Sequence, residues 1–300
     1  MPSEDRRHLF GGSDVGCIFG VSPLKTALDL YEEKIAPEFV PPEVEPKREK
    51  LFRRGKKLEP WVMELLEEER GIFIQKRNQR YVDPEFPWMA AEIDFEYMDT
   101  IGLCNGDVKT VSPFAASEWG EEQTDEIPLT YCLQFHHGMM VTGRPACLVA
   151  VLIGADDLRT YEVKRDDELI AEIRKREIQF WTEHVQKKVP PPPQTVGDVH
   201  KTLFRYGGFP VQNDPEIMTA LSNLRTVKKT EKEVETLKKE YELQIKRRLL
   251  VLAEAHGLTD ADAPKKFTIN DMTGKRTASL SYEHRSGYTV QPTDFWILRT

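Results

Sequence analysis

The chain has 300 residues, of which 39% are hydrophobic and 31% charged, with a formal net charge of -8. That length allows one large domain or one domain with an appendage, and the acidic balance argues against a generally basic nucleic-acid coat protein. Four scattered cysteines (Cys17, Cys104, Cys132, Cys147) without a C-x-x-C pair argue against a thiolate metal centre, and the lack of a membrane-length apolar run or secretory segment predicts a cytoplasmic protein with no membrane partner.

In chain order, "SPLKTALDLYEEKIA" predicts a helix, with Ser22 as its cap, Pro23 at its first position, and Ala27, Leu28, Leu30, Tyr31 and Ile35 as its apolar stripe. The run "KREKLFRRGKK" sets Lys47, Arg48, Lys50, Arg53, Arg54, Lys56 and Lys57 against Glu49 alone. It reads equally as a solvated helix face or as a grip for a polyanion; the acids gather elsewhere, in "ELLEEER" and "EWGEEQTDE". A second helix is expected from about Arg53 to Arg70, with Leu58, Trp61, Val62, Leu65 and Leu66 facing the core and Gly71 stopping it.

"FIQKRNQRYVD", "WMAAEIDFEYMD" and "IGLCNGDVKTV" read as three strands, the last two joined by a tight turn near Asp99–Gly102. "IPLTYCLQFHHGMMVTG" reads as a helix between Pro128 and Gly143, "ACLVAVLIG" as a buried strand and "RTYEVKR" as its hairpin partner. "DDELIAEIRKREIQFWTEHVQKK" is an amphipathic helix that stops at "VPPPPQT", which is taken as the boundary between a core, 1–195, and a C-terminal extension, 196–300. The extension holds a long charged helix over about 214–256, with Ile217, Leu221, Leu224, Val234 and Leu237 among its apolar positions, followed by β-like "KFTIN" and "TASLSYEH". The expected fold class is α/β, a sandwich around a mixed sheet.

Polar residues fall at matching places on this scaffold. In an extended strand Asp107 and Lys109 project together, a pattern that alone reads as a surface ion pair. Asp94 lies mid-strand between apolar neighbours, and pairing through the Asp99–Gly102 turn would bring it to the end of the sheet that holds Asp107. Carboxylates converging without histidine or cysteine form an all-oxygen site that selects Mg²⁺ or Mn²⁺, as phosphodiester hydrolysis requires. Lys109 would lower the pKa of the attacking water or neutralise charge on the phosphorane. Trp61, Trp119 and Trp181 are expected to pack rather than stack on bases, although Trp119, in a polar loop, is also a candidate for DNA contact. His136 and His137, lacking a fourth ligand beside Cys132, are expected to pack or hydrogen-bond.

The sequence resembles the YqaJ-type viral recombinase family, relatives of bacteriophage lambda exonuclease within the PD-(D/E)XK nuclease superfamily. The resemblance covers about residues 8–195 and rests on "GGSDVGCIFGVSPLKTALDLYEEK", "RGKKLEPWV", the Asp94…Asp107-Val-Lys109 pair, the P-x-x-Y-x-x-Q spacing of "IPLTYCLQFHHGMMVTG", and "EIQFWTEHVQKKVPPP". It implies a restriction-endonuclease-like core in which Asp94, Asp107 and the Val108 carbonyl bind metal. Lys109 would be the catalytic lysine, Glu59 an assisting acid and Gln134 a supporting polar group. Ser13 and Arg54 would meet DNA beside the basic Arg53, Lys56 and Lys57.

The implied activity is Mg²⁺-dependent 5′→3′ digestion of linear duplex DNA in phage recombination, in a bacterial host cytoplasm. The implied partners are DNA ends, a single-strand annealing protein and further copies of the chain in a trimer. An endonuclease or nickase, or a weakly catalytic DNA-binding regulator, stays open beside it. Three positions depart from the family pattern: Asp107 replaces the commoner glutamate, Glu92 stands where a small polar residue is usual near a terminal phosphate, and His136 stands where a second glutamine is common.

Overall fold

The computed structural model describes residues 7–38, 46–204, 206, 208, 210, 214–256 and 266–281. The chain divides into two compact units, Met1–Tyr206 and Gly207–Thr300. Among the described residues no helix is long and apolar enough to cross a membrane.

The first unit opens with a short helix that the sequence reading missed, α1 (Gly12–Ile18). The next helix, α2 (Ala27–Ile35), starts later than expected, because the Thr26 hydroxyl accepts from Asp29 N and Asp29 accepts from Thr26 N, a reciprocal cap. Ser22 instead accepts from Leu24 N and Lys25 N, closing a turn before the helix. The basic helix α3 is longer than expected, Pro46–Arg70, and ends at Gly71, whose φ of +65° suits glycine. Its core face is Val62, Met63 and Leu66, whereas Trp61 stays 41% exposed.

One five-stranded sheet follows in the order β1-β2-β3-β4-β5: Ile74–Val82, Ala90–Asp99, Gly102–Val111, Ala146–Ile153 and Asp157–Lys164. All neighbours are antiparallel except β3 and β4, which run parallel and are joined by the crossover helix α4 (Leu129–Thr142). The continuous apolar run of β4 is buried on both faces. Cys147, Val149, Val151 and Ile153 enter the core under α1 and α4, while Ala146, Leu148, Ala150 and Leu152 enter the one under α3. The order is therefore helix, three antiparallel strands, crossover helix and parallel strand, with β5 as a hairpin partner of β4, an α/β arrangement around a mixed sheet.

α5 (Asp167–Phe180) and a π-helical turn (Trp181–Gln186) close the face that carries α4; Trp181 stacks on Trp88 at 4.6 Å and 1°. The proline run does not end this unit. The helix beyond it, α6 (Val196–Leu203), is tied back to α2, because Thr26 donates to Asp198 Oδ1 at 2.8 Å and Lys201 pairs with Asp29. The second unit contains α7 (Pro215–Ala255) and a hairpin of β6 (Lys266–Asn270) and β7 (Arg276–Ser281); "YEH" of "TASLSYEH" lies outside the described residues.

Two features of β2 and β3 prepare the site. The β2–β3 ladder runs from Asp99↔Gly102 up to Phe95↔Gly106 and stops there. Up to Ile93, β2 contributes to the core under α4; from Phe95 on it contributes to the core under α3. The strands therefore part at Asp94. A Cβ on Gly106 would stand 2.1 Å from the fully buried ring of Phe95. We expect Gly106→Ala to destabilise the protein by about 3 kcal/mol, the upper end for forced overpacking. Chemical denaturation would measure it, and an unchanged midpoint would contradict this packing.

Candidate active site

Where β2 leaves β3, the Val108 N–H loses a partner strand on that side. Asp94 replaces it: its Oδ2 accepts from Val108 N at 2.9 Å. One residue back, Asp107 points into the same cleft and accepts hydrogen bonds from Lys109 Nζ at Oδ1 and, in a long 3.5 Å contact, from Gln134 Nε2 at Oδ2. The shared face of Asp107 and Lys109 is thus a buried ion pair, with side chains 10% and 17% exposed, and not a surface one.

Helix α3 supplies Glu59. It can lie close over β3 because residue 55 is glycine; a Cβ there would come within 3.2 Å of Thr110 Oγ1. Glu59 then lines the cleft with Asp94 and Asp107, and α1 brings Ser13 to the same rim. The cleft has a volume of about 760 Å³. Arg54 and Lys56 are exposed on its edge, whereas Arg53 and Lys57, also exposed, do not line it.

The electrostatics follow from crowding. Burial raises the Asp107 pKa to about 7, with Asp94 adding to it and Lys109 opposing it. Burial also raises Asp94, despite Lys109 and the Val108 N–H, and raises Glu59 with help from the Asp94 charge. Burial alone would lower Lys109, but Asp107 and Asp94 hold its pKa above the ordinary lysine value. The cleft therefore gathers more negative charge than its lysine neutralises. Among the described residues, no three Asp, Glu, His or Cys side chains already surround one point.

Trp119 does not face DNA. It is 5% exposed, stacked on Tyr131 at 5.4 Å and packed on Tyr161 at 5.2 Å, so the polar loop around it carries a ring into the core. Phe135 is buried, but Tyr131 is only partly so, and both rings line the cleft beside Lys109 Nζ, at 5.2 and 5.4 Å from their centroids. Spacing of i and i+4 on α4 put them on one face, the signal that would have found them.

His136 and His137 hydrogen-bond as expected. His136 Nδ1 meets Cys132 O at 2.8 Å. His137 is fully buried; its Nδ1–H donates to Glu177 Oε1 at 2.7 Å and its Nε2–H to Ala90 O at 3.0 Å. Burial alone would lower this imidazole's pKa, but Glu177 and the Ala90 carbonyl raise it, while burial raises Glu177 against the pull of His137. The pair bolts α4 to α5 and β2.

Residues 3–145 match the YqaJ-like viral recombinase domain. The uncharacterized protein YqaJ of Bacillus subtilis (strain 168) is 32% identical over 183 residues, which span 60% of this chain and 54% of that protein. The chain thus spans about half the length of the curated relative it matches. Among solved structures, the alkaline exonuclease LHK-Exo of Laribacter hongkongensis aligns at a TM-score of 0.47 and 18% identity, covering 61% of this chain and 90% of that one. The phage related exonuclease of Haemophilus somnus 129PT aligns at 0.44 and 16%, covering 60% and 96%. The stretch that resembles the YqaJ-like viral recombinase domain, residues 3–145, contains Glu59, Asp94, Asp107, Lys109 and Gln134.

Proposed function

We propose that the protein is a Mg²⁺-dependent deoxyribonuclease that hydrolyses phosphodiester bonds from the ends of linear duplex DNA, 5′→3′, and so produces single strands for phage-type recombination. The observation that carries this reading is the convergence of Asp94, Asp107 and Lys109 at the point where β2 and β3 part. Two solved structures with a similar outline are described as exonucleases, and the recombinase family suggests the setting.

The donor set fits a hard divalent cation. Its groups are all oxygen, and the three carboxyls Glu59, Asp94 and Asp107 all have pKa values raised first by burial, with carboxylate repulsion adding to it, surroundings that a divalent cation would relieve. Asp94, Asp107 and the Val108 carbonyl would hold the ion, with Mn²⁺ able to replace Mg²⁺. When bound, it would activate water and shield the scissile phosphate. Lys109 neutralises charge growing on the phosphate oxygens. Gln134 steadies Asp107 from α4, and Glu59, with its raised pKa, takes up a proton near the attacked phosphate. Arg54 and Lys56 hold the DNA backbone at the rim. Association with a single-strand annealing protein and assembly into a trimer belong to the same proposal.

An endonuclease or nickase on this fold is the second reading, and Glu92 favours it. This exposed carboxylate lines the cleft and raises the pKa of both Glu59 and Asp94, so its field opposes a terminal 5′-phosphate. Incubating purified protein with linear and closed-circular duplex DNA, in Mg²⁺, Mn²⁺ or EDTA, separates the two. Loss of linear DNA alone, in either metal and not in EDTA, is the expected result; cut circles would establish the second reading. Absence of any metal-dependent product would remove both.

A further inference from the structure

A lysine side chain is a flexible four-carbon stem, and an ammonium that must stand beside one carboxylate oxygen needs more than that hydrogen bond to stay there. Lys109 Nζ donates to Asp107 and also lies over two aromatic faces, 5.2 Å from the Tyr131 centroid and 5.4 Å from that of Phe135. The two rings are stacked along α4, 6.3 Å apart and 15° from parallel. Behind Tyr131 stands the buried Trp119, itself against Tyr161, whose hydroxyl donates to Gly120 O at 3.1 Å. The column Trp119–Tyr131–Phe135 is thus braced from the core and presents its faces to the ammonium.

We propose that Tyr131, assisted by Phe135, is a positioning residue for Lys109: the ring faces attract the ammonium, keep water from it, and hold it at Asp107 in register with the phosphate. This rests on the nuclease reading of the site. Two simpler roles compete. A ring that only fills the core has no need to lie partly exposed in the cleft beneath a cation. A ring that stacks on a DNA base would act on binding and leave the chemical step unchanged.

The test exploits the origin of the attraction in the electron density of the ring face. Tyr131→Phe keeps the face and is expected to retain kcat. Incorporating mono-, di- and trifluorophenylalanine at position 131 withdraws that density with little change of volume. We expect kcat on linear duplex DNA to fall stepwise, by roughly 5- to 30-fold over the series, with KM unchanged. In metal-free and DNA-free protein, the Lys109 ε-methylene protons should be shifted upfield by the ring current, and the shift should shrink along the same series.

A flat kcat across the series overturns the proposal, as does a rise in KM at constant kcat, which would make Tyr131 a DNA contact. Ordinary Lys109 ε-methylene shifts overturn it whatever the activity. If the wild-type protein cleaves no DNA while those shifts still respond to fluorine, the nuclease reading fails and the placement of Lys109 by the rings stands.

Discussion

Replacing Lys109 with alanine is expected to slow DNA cleavage by about 10²- to 10³-fold, the usual loss when a positioned group that stabilises transition-state charge is removed. The protein should stay folded. Asp107 is already pushed up to about 7 by burial, with Lys109 as the main influence pulling it down. Without the lysine that carboxyl rises further and takes up a proton at neutral pH, so the cleft sheds charge and the strand keeps its place. Initial rates on linear duplex DNA, with circular dichroism of the same samples, measure both halves. A folded Lys109→Ala protein that cuts at the wild-type rate would remove the proposed mechanism.

The largest effect on stability is expected at Glu177. Both Glu177 and His137 are fully buried, with His137 Nδ1 at Glu177 Oε1 and Nε2 at Ala90 O. Glu177→Ala leaves the buried imidazole without that partner, and removing one member of a buried pair costs about 3–5 kcal/mol. Urea denaturation should register the loss, and a change under about 1 kcal/mol, the range of exposed pairs, would mean the pair contributes little. The double replacement His137→Leu with Glu177→Leu should cost much less than Glu177→Ala, because no buried polar group is then left without its partner. Activity should suffer indirectly, since α4 carries Gln134 and Tyr131.

Much of the fold could be read from the sequence where one period or one boundary signal dominated. β4 announced itself as an unbroken apolar run because both its faces are covered, and the β2–β3 hairpin turns where expected, at Asp99–Gly102. α1 was missed because seven residues with two glycines are too short for helical periodicity to register. Ser22-Pro23 imitated a helix start, while the working cap, Thr26 with Asp29, lay four residues on.

The candidate site was legible only in combination: a carboxylate inside an apolar strand gave meaning to a D-x-K that alone reads as a surface pair, and Glu59 and Gln134 came from the family resemblance. What could not be read was set by tertiary contact. Trp119 sits in a polar stretch, yet Tyr131 and Tyr161 draw it into the core. Likewise, nothing in the alternation of β2 foretells that it parts from β3 at Asp94.

That parting gives Asp94 two duties. Its carboxylate is offered to the cleft, and it also completes the backbone pairing of a sheet whose own ladder has run out, through Val108 N. Substitution here is therefore ambiguous in a way that it is not at Lys109. Alanine at 94 strands a peptide N–H as well as deleting a ligand, so an inactive Asp94→Ala protein could owe its silence to a displaced β3. Asparagine keeps an oxygen for the peptide and surrenders only the charge, which makes Asp94→Asn the variant whose failure speaks about chemistry.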